Sequence, residues 1–255
     1  MVDIHCHILP GLDDGAVEDS VAREMAEMAA RDGITHVVAT PHSNYRFQFT
    51  PEVNRRKRGA LQELVGDSLT ILLGCDFHLS YENLEAVRLR PEDYTINGHQ
   101  YLLVEFSNVN IPPNMDQIFS ELLGRKLIPI ITHPERNPIL SENPDQLRSW
   151  IQTGCLLQVT AGSFLGRFGK PARQSAELLL RQRMVHFIAT DAHNTTSRPP
   201  LLSAARKIIA AGQGEDLAEA LCEANPRAAV EGRELPWRPV PEPVLARKWF
   251  SFRRQ

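Results

Sequence analysis

Cysteine is scarce in this chain, four residues among 255. Cys6, Cys75, Cys155 and Cys222 form no CxxC pair, so a thiolate zinc site is not expected. None has an arginine six positions on, where Leu12, Tyr81, Ala161 and Ala228 stand instead. That rules out the arrangement of the cysteine-dependent phosphatases. A disulfide framework is not expected in a chain long enough for a real core. The cysteines in apolar strand-like runs read as small buried hydrophobes. An excess of one charge is also missing: 28 Lys and Arg face 31 Asp and Glu, a net charge of −3. Nothing global therefore points to nucleic acid or an anionic membrane. No apolar run reaches the ~18 residues of a membrane span. No basic stretch leads into an apolar N-terminal segment, and no GxxxxGK[ST] phosphate loop occurs. The expected setting is cytoplasmic.

What is present is a 42% hydrophobic chain with short apolar runs at intervals. They are Val2–Ile4, Thr35–Thr40, Leu69–Leu73, Tyr101–Phe106, Leu127–Thr132, Cys155–Thr160 and Val185–Thr190. Several are continuously apolar, as strands buried on both faces should be. Helical patterns lie between most of them. Glu18–Arg31 has a near-3.6 period, and Pro51–Val65, Pro113–Arg125, Pro144–Thr153 and Pro171–Arg183 start with proline at the first turn. Gly33 and Gly154 stand where C-caps belong. Strand then helix, repeated about seven times, predicts an α/β fold with a parallel sheet. Seven units predict a distorted (β/α)7 TIM-like barrel over residues 1–235, with an open doubly wound sheet as the alternative. The tail is different. Four prolines fall within Pro236–Pro243, and residues 245–255 are basic and aromatic with no acid. This reads as an extended linker and a terminus that either packs or touches a membrane or partner.

The ionisable residues gather at one kind of place. His5 and His7 lie in and after the first strand, His42 after the second, Asp76 and His78 after the third. Glu105 is inside the fourth, His133 follows the fifth, and Asp191 and His193 follow the seventh. In a parallel barrel the C-terminal strand ends converge on the face where active sites are built. His5 and His7 are two apart on a strand, so both rings point the same way. Burying these imidazoles and acids together without a cation would be costly. Divalent metals resolve the cost, because His nitrogen and carboxylate oxygen are first-row metal ligands. With Asp14 added and His78 set aside there are nine expected ligands, five His and four carboxylates, too many for one ion. Metals ~3.5–4 Å apart clamp attacking and leaving oxygens and yield hydroxide at neutral pH. A phosphoester hydrolase follows, working by metal-activated hydroxide attack on phosphate.

Several stretches carry a resemblance: DIHCHILPGLDDG (3–15), ATPH (39–42), LVEF (103–106), THPERN (132–137), TAGSFLGRFGKPA (160–172) and ATDAHN (189–194). With them the chain resembles the PHP (polymerase and histidinol phosphatase) superfamily. More narrowly, it resembles the manganese-dependent bacterial protein-tyrosine phosphatases of capsule and exopolysaccharide operons, the CpsB/CapC/YwqE type. The resemblance implies a three-metal cluster on a PHP fold. A first ion would take His5, His7, Asp191 and a bridging Asp76; a second Asp14, His42 and His193; a third Asp76, Glu105 and His133. Mn²⁺ is the implied metal, with Zn²⁺ or Fe also compatible with the ligands. The family usually has glutamate where this chain has Asp76, one methylene shorter. His78 is an outside candidate for ligand or proton donor, and Asp13 is expected to cap its loop.

Asp14, His42 and Arg136 are the expected catalytic residues. Arg136 of HPER should grip phosphate bidentately. Arg167 of GRFG is a second candidate, and Gly162, with Gly166 and Gly169, lets its loop turn N–H groups toward an anion. The implied substrate is a phosphotyrosine protein, with a bacterial tyrosine kinase tail as the partner. A small-molecule phosphatase acting on histidinol phosphate or a sugar phosphate is the nearest alternative. A non-catalytic regulatory module keeping the fold is the alternative of another class.

Overall fold

The computed structural model describes residues 1–239 and 241. Nine short strands are all paired in parallel. They are β1 (Val2–Cys6), β2 (His36–Ala39), β3 (His42–Ser43), β4 (Thr70–Leu73), β5 (Asp76–His78), β6 (Tyr101–Glu105), β7 (Ile128–Thr132), β8 (Leu156–Thr160) and β9 (Phe187–Ala189). Six of the seven expected runs contain one of them, and the first, Val2–Ile4, is the start of β1, which continues to Cys6. The two additional strands, β3 and β5, are continuations of β2 and β4 after short breaks. Pro41 interrupts the first pair, since it has no N–H to give a ladder. Gly74 and Cys75 interrupt the second.

Seven strands in one ring were expected; the strands instead run as two sheets, in the orders β1-β2-β4 and β3-β5-β6-β7-β8-β9. The sheets meet beyond β9, where Asp191 N–H donates to His5 O and His7 N–H to Ala192 O, each at 2.8 Å. On the other side they are joined by the chain itself, through the β2–β3 and β4–β5 breaks.

The helices are α1 (Asp19–Arg31), α2 (Pro51–Val65), α3 (Tyr81–Leu89), α4 (Met115–Gly124), α5 (Pro144–Thr153), α6 (Ala161–Phe164), α7 (Gly169–Arg181), α8 (Ser203–Gln213), α9 (Glu215–Glu219) and α10 (Asn225–Val230). Proline occupies the first turns of α2 and α5, as expected. Helix α7 starts two residues before the expected proline, because Gly169 takes a left-handed φ of 85° and turns the chain early. Alternate residues of one strand enter different core clusters. Leu102, Val104, Ile131 and Ile188 pack in one; Leu103, Ile130, Leu156 and Phe187 pack in the other, with Ala228 and Val230 of α10. The large sheet is thus buried on both faces, which explains its unbroken apolar runs. Of the Pro-rich segment, Trp237 packs against the core and its N–H donates to Asn225 Oδ1 at 3.1 Å. The basic aromatic stretch 245–255 lies outside the described residues.

Candidate metal centre

All nine expected ligands converge on one basin. His42, Asp14, Asp76, Glu105, His133, Asp191 and His193 line a cavity of about 660 Å³, and His5 and His7 lie buried beneath it. Two of the expected ligands sit on strained backbone. His133 has φ 35° and Asp191 φ 50°, left-handed values unusual outside glycine. Each is held by a neighbouring strand: His133 N–H donates to Gln158 O at 2.9 Å, and Asp191 N–H to His5 O at 2.8 Å. The twist turns both side chains off the strand ends into the basin.

Imidazole orientation is set from behind. His5 Nδ1 meets Gln158 Oε1 at 3.0 Å, His7 Nδ1 meets Asp13 Oδ2 at 2.7 Å, and His193 Nδ1 meets Asp191 O at 3.0 Å. In each case the outer partner fixes Nδ1 and leaves Nε2 facing the basin, the arrangement of a metal-ligating histidine. Asp13 does more than cap its loop. Its carboxylate also accepts from Gly15 N–H at 2.9 Å and His42 N–H at 3.0 Å, tying the 11–15 loop to two imidazole-bearing segments. Burial opposes its ionisation, but His7 and these N–H groups hold the pKa down at about 2.

Inside the basin the donors crowd without bonding one another well. Asp76 Oδ2 lies 3.1 Å from His42 Nδ1, 3.4 Å from His5 Nε2 and 3.9 Å from His7 Nε2. Asp191 Oδ1 lies 3.5 Å from His5 Nε2 and 3.4 Å from His7 Nε2. Asp14 Oδ1 lies 3.4 Å from His42 Nε2 and 3.5 Å from His193 Nε2. Glu105 Oε1 is 3.8 Å from His133 Nε2. Both Asp76 oxygens, Asp191 Oδ1 and His42 Nδ1 are buried with no hydrogen-bond partner among the described residues. Buried polar atoms left this way are rare and costly. Three groups bring their donor atoms within 4.8 Å of one another: His7, Asp14, His42 and His193; His5, His7 and Asp76; His42, Asp76 and Glu105. Nitrogen and carboxylate oxygen in this mixture suit divalent first-row cations. Charge works in the same direction. Burial opposes protonation of His5 and His42, yet Asp76, Asp191 and Asp14 pull their pKa values up to about 9 and about 11. The acids demand positive charge at the places where cations would sit.

The family of capsular polysaccharide synthesis proteins described as CpsB/CapC matches residues 1–231. This chain belongs to the CpsB/CapC family. Tyrosine-protein phosphatase YwqE of Bacillus subtilis is 34% identical over 99% of this chain and 100% of its own length. Tyrosine-protein phosphatase CpsB of Streptococcus pneumoniae is 30% identical over 90% of this chain and 98% of its own. Among solved structures, one from a study of YwqE and CpsB as "unique metal-dependent tyrosine phosphatases" superposes with a TM-score of 0.89 at 32% identity, covering 96% of this chain and 99% of the other.

In this CpsB/CapC chain the guanidinium wall of the basin differs from the expected one. Arg136 lines it as anticipated and pairs with Asp191 Oδ2. Arg167 is exposed and is not among the lining residues. Arg198, seven residues past Asp191, is the second wall guanidinium and pairs with the same carboxylate oxygen. The guanidinium carbons of Arg136 and Arg198 lie 4.4 and 5.8 Å from the Phe168 ring centroid. Gly162 is buried away from the basin, and a Cβ there would come within 3.0 Å of Phe168 Cε2. Its bareness therefore admits the ring on which the arginines rest, with no N–H group of its own at the cavity wall. Glu135 braces that corner: one oxygen accepts from Thr160 N–H at 3.0 Å and Ser163 O–H at 2.7 Å. His78 stands beside the ligand set, its Nδ1 3.6 Å from Glu105 Oε2. The 43–50 loop brings one aromatic ring against a lining residue. Phe47 stacks on His42 at 5.8 Å and 11°, and Tyr45 is 92% exposed.

The four cysteines are free and buried. Burial pushes the Cys155 and Cys222 thiols up to about 12, and those of Cys6 and Cys75 well above the ordinary value. None resembles an activated thiolate nucleophile.

Proposed function

We propose that the chain is a metal-dependent protein-tyrosine phosphatase. The observation that carries this reading is the floor of nine His and carboxylate donors under a wall of two guanidinium groups, Arg136 and Arg198. Up to three divalent cations, Mn²⁺ in the first instance, would be held by His5, His7, Asp191 and Asp76; by Asp14, His42 and His193; and by Asp76, Glu105 and His133. This division is supported in part by the donor groups His5, His7 and Asp76 and His7, Asp14, His42 and His193, while Asp76 and Glu105 group with His42. Cations held there supply Lewis-acid stabilisation of the phosphoryl oxygens and an attacking water of lowered pKa.

The residues of the chain do the rest. Arg136 and Arg198 bind the phosphoryl oxygens as planar donors. Phe168 packs both guanidinium groups in place, so little order has to be created when substrate arrives. Asp191 holds them against the ligand floor. The Asp13, Gln158 and Asp191 carbonyl contacts lock the imidazoles before binding, and such preorganisation is where most electrostatic catalysis originates. Phe47 and Tyr45 offer an aromatic rim for a phosphotyrosyl ring. The departing phenolate, of ordinary pKa ~10, needs less acid assistance than an alkoxide. His78, left over from the ligand groups and 3.6 Å from Glu105, is the candidate to hand it a proton.

The reading extends to context. The substrate is a phosphotyrosyl protein, with a bacterial tyrosine kinase tail as the first choice. A cytoplasmic setting is supported by the four free thiols. The two sheets are read as arcs of one distorted seven-unit barrel of PHP type over residues 1–235, supported by the hydrogen bonds from β1 to residues 191 and 192. The deciding assay compares phosphotyrosine peptide, phosphoserine peptide and histidinol phosphate, each with Mn²⁺ and with chelator. Preference for the first with Mn²⁺ supports the proposal. Preference for either of the others overturns the tyrosine assignment.

A further inference from the structure

A second cavity, of about 290 Å³, lies between helix α2, strand β4 and the 92–98 segment, and shares no lining residue with the metal basin. Its volume is near the lower end for small-molecule sites. One wall is a sheet edge: β4 pairs with β2 on one side and with no strand on the other among the described residues. Thr70 and Gly74 N–H groups donate inward to Thr35 O and Ala39 O, so by alternation Ile71 and Leu73 present theirs outward. Ile71 is already capped. The carboxamide of Gln62 accepts from Ile71 N–H at 2.7 Å and donates to Leu69 O at 3.0 Å, standing in for the peptide of a neighbouring strand. One step along, at Leu73, the cavity opens where the next peptide would pair.

The opposite wall has donors to spare. Asn54 and Arg58 lie one helical turn apart on α2 and both line the cavity. Asn54 is only 3% exposed, yet its Nδ2 has no acceptor among the described residues; Arg58 Nε is likewise buried and unpaired. Arg58 forms no ion pair among the described residues, whereas Arg55 is bound to Asp93 at 2.7 Å and Asp93 is also held by Arg90 at 2.8 Å. The remaining charged lining residue is Glu92, which is exposed at the rim. The cavity thus offers one spare cation, one buried amide donor and one peptide-pairing edge. All three are met by an extended peptide whose carboxylate reaches α2 while its backbone pairs with β4, the geometry of strand addition.

We propose that this cavity binds a short acidic peptide segment, its carboxylate on Arg58 and Asn54 and its backbone on the Leu73 edge of β4. The test is an NMR titration of the metal-loaded full chain with acetyl-Gly-Asp-Gly-amide, following the Leu73 amide and the Asn54 side-chain signals. Acetyl-Gly-Asn-Gly-amide is the uncharged control, and acetyl-Gly-Gly with a free carboxyl end tests a chain terminus as the source of the carboxylate. Saturable shifts at Leu73 and Asn54 with either acidic probe support the proposal, if binding weakens at least tenfold in Arg58→Gln or, for the aspartyl probe, in the Asn control. Arg58→Gln should leave phosphotyrosine turnover unchanged, since Arg58 lies outside the metal basin. Equal binding of both Asp and Asn probes, shifts confined to the basin residues, or no saturation by either acidic probe at millimolar concentration overturns it.

Discussion

At the scale of single residues, the site turns on which guanidinium groups line the basin. Arg198 was not legible in the sequence because it follows no strand and belongs to none of the stretches that carried the resemblance. Its position is made locally, by Asn194, whose side-chain oxygen accepts the N–H groups of Thr196, Ser197 and Arg198 at 2.9–3.0 Å. That turn aims Arg198 back at Asp191. Arg198→Ala should lower kcat/KM about 100-fold, the usual cost of one preorganised charged donor, while Arg167→Ala stays near wild type; steady-state assays of both variants check the contrast. A second prediction concerns pH. His186 is buried, and its Nδ1 accepts from Leu157 N–H at 3.1 Å. Burial first, then the nearby Arg238 charge, pushes its pKa down to about 3. The folded chain therefore needs the neutral ring. Its stabilising contribution is complete above the ordinary pKa of ~6.5 and is lost progressively as pH falls from there toward 3. In urea denaturation at pH 7 and pH 5, His186→Asn keeps an acceptor for Leu157 and should show a smaller loss than wild type.

Secondary-structure elements were read well where the pattern is long and poorly where it is short. Each of the seven apolar runs overlaps a strand, and in the large sheet burial on both faces writes itself as runs rich in Val, Ile and Leu. Strands β3 and β5 left no such trace. They are two and three residues long, and their residues include His42, Asp76 and His78, chosen for the basin rather than for β propensity. Between elements, the 11–15 loop depends on a close backbone approach. A Cβ on Gly15 would stand 2.1 Å from His7 O and 2.5 Å from His7 Cβ, so alanine there must displace the loop. Gly15→Ala should cost at least about 2 kcal/mol of stability, as overpacking against backbone does, and should weaken Mn²⁺ binding measured by calorimetry, because Asp13 and Asp14 move with the loop. Gly162→Ala is milder. Its Cβ meets only the edge of the Phe168 ring at 3.0 Å and the Arg167 side chain at 3.2 Å, groups that can shift. The expected result is a raised KM with a near-normal melting temperature, since Phe168 supports Arg136 and Arg198.

For the whole molecule, the basin is a concentration of buried charge that the rest of the fold must hold together. Cations bound only to the folded state add stability by mass action, about 2.7 kcal/mol at a hundredfold excess over Kd. Chelation should therefore abolish turnover and lower the melting temperature by at least about 5 °C, given ~2–4 °C per kcal/mol for a chain of this size. Differential scanning fluorimetry with and without Mn²⁺ measures the shift, and readdition of Mn²⁺ should restore both properties. The sequence by itself determined the inventory of imidazoles and acids at strand ends and the alternation of strand and helix. Imidazoles and acids at strand ends are local facts, and parallel strands carry their C-terminal ends to one face whatever the details. Only the tertiary structure decided how those donors share one space, how the strands divide into two sheets, and that Arg198 rather than Arg167 joins Arg136 over Phe168. These depend on contacts between residues far apart in the chain, such as Asp13 with His42, Gln158 with His5, and Arg136 with Asp191 and Phe168. Such contacts follow from how loops cross in space, and periodicity carries no record of that.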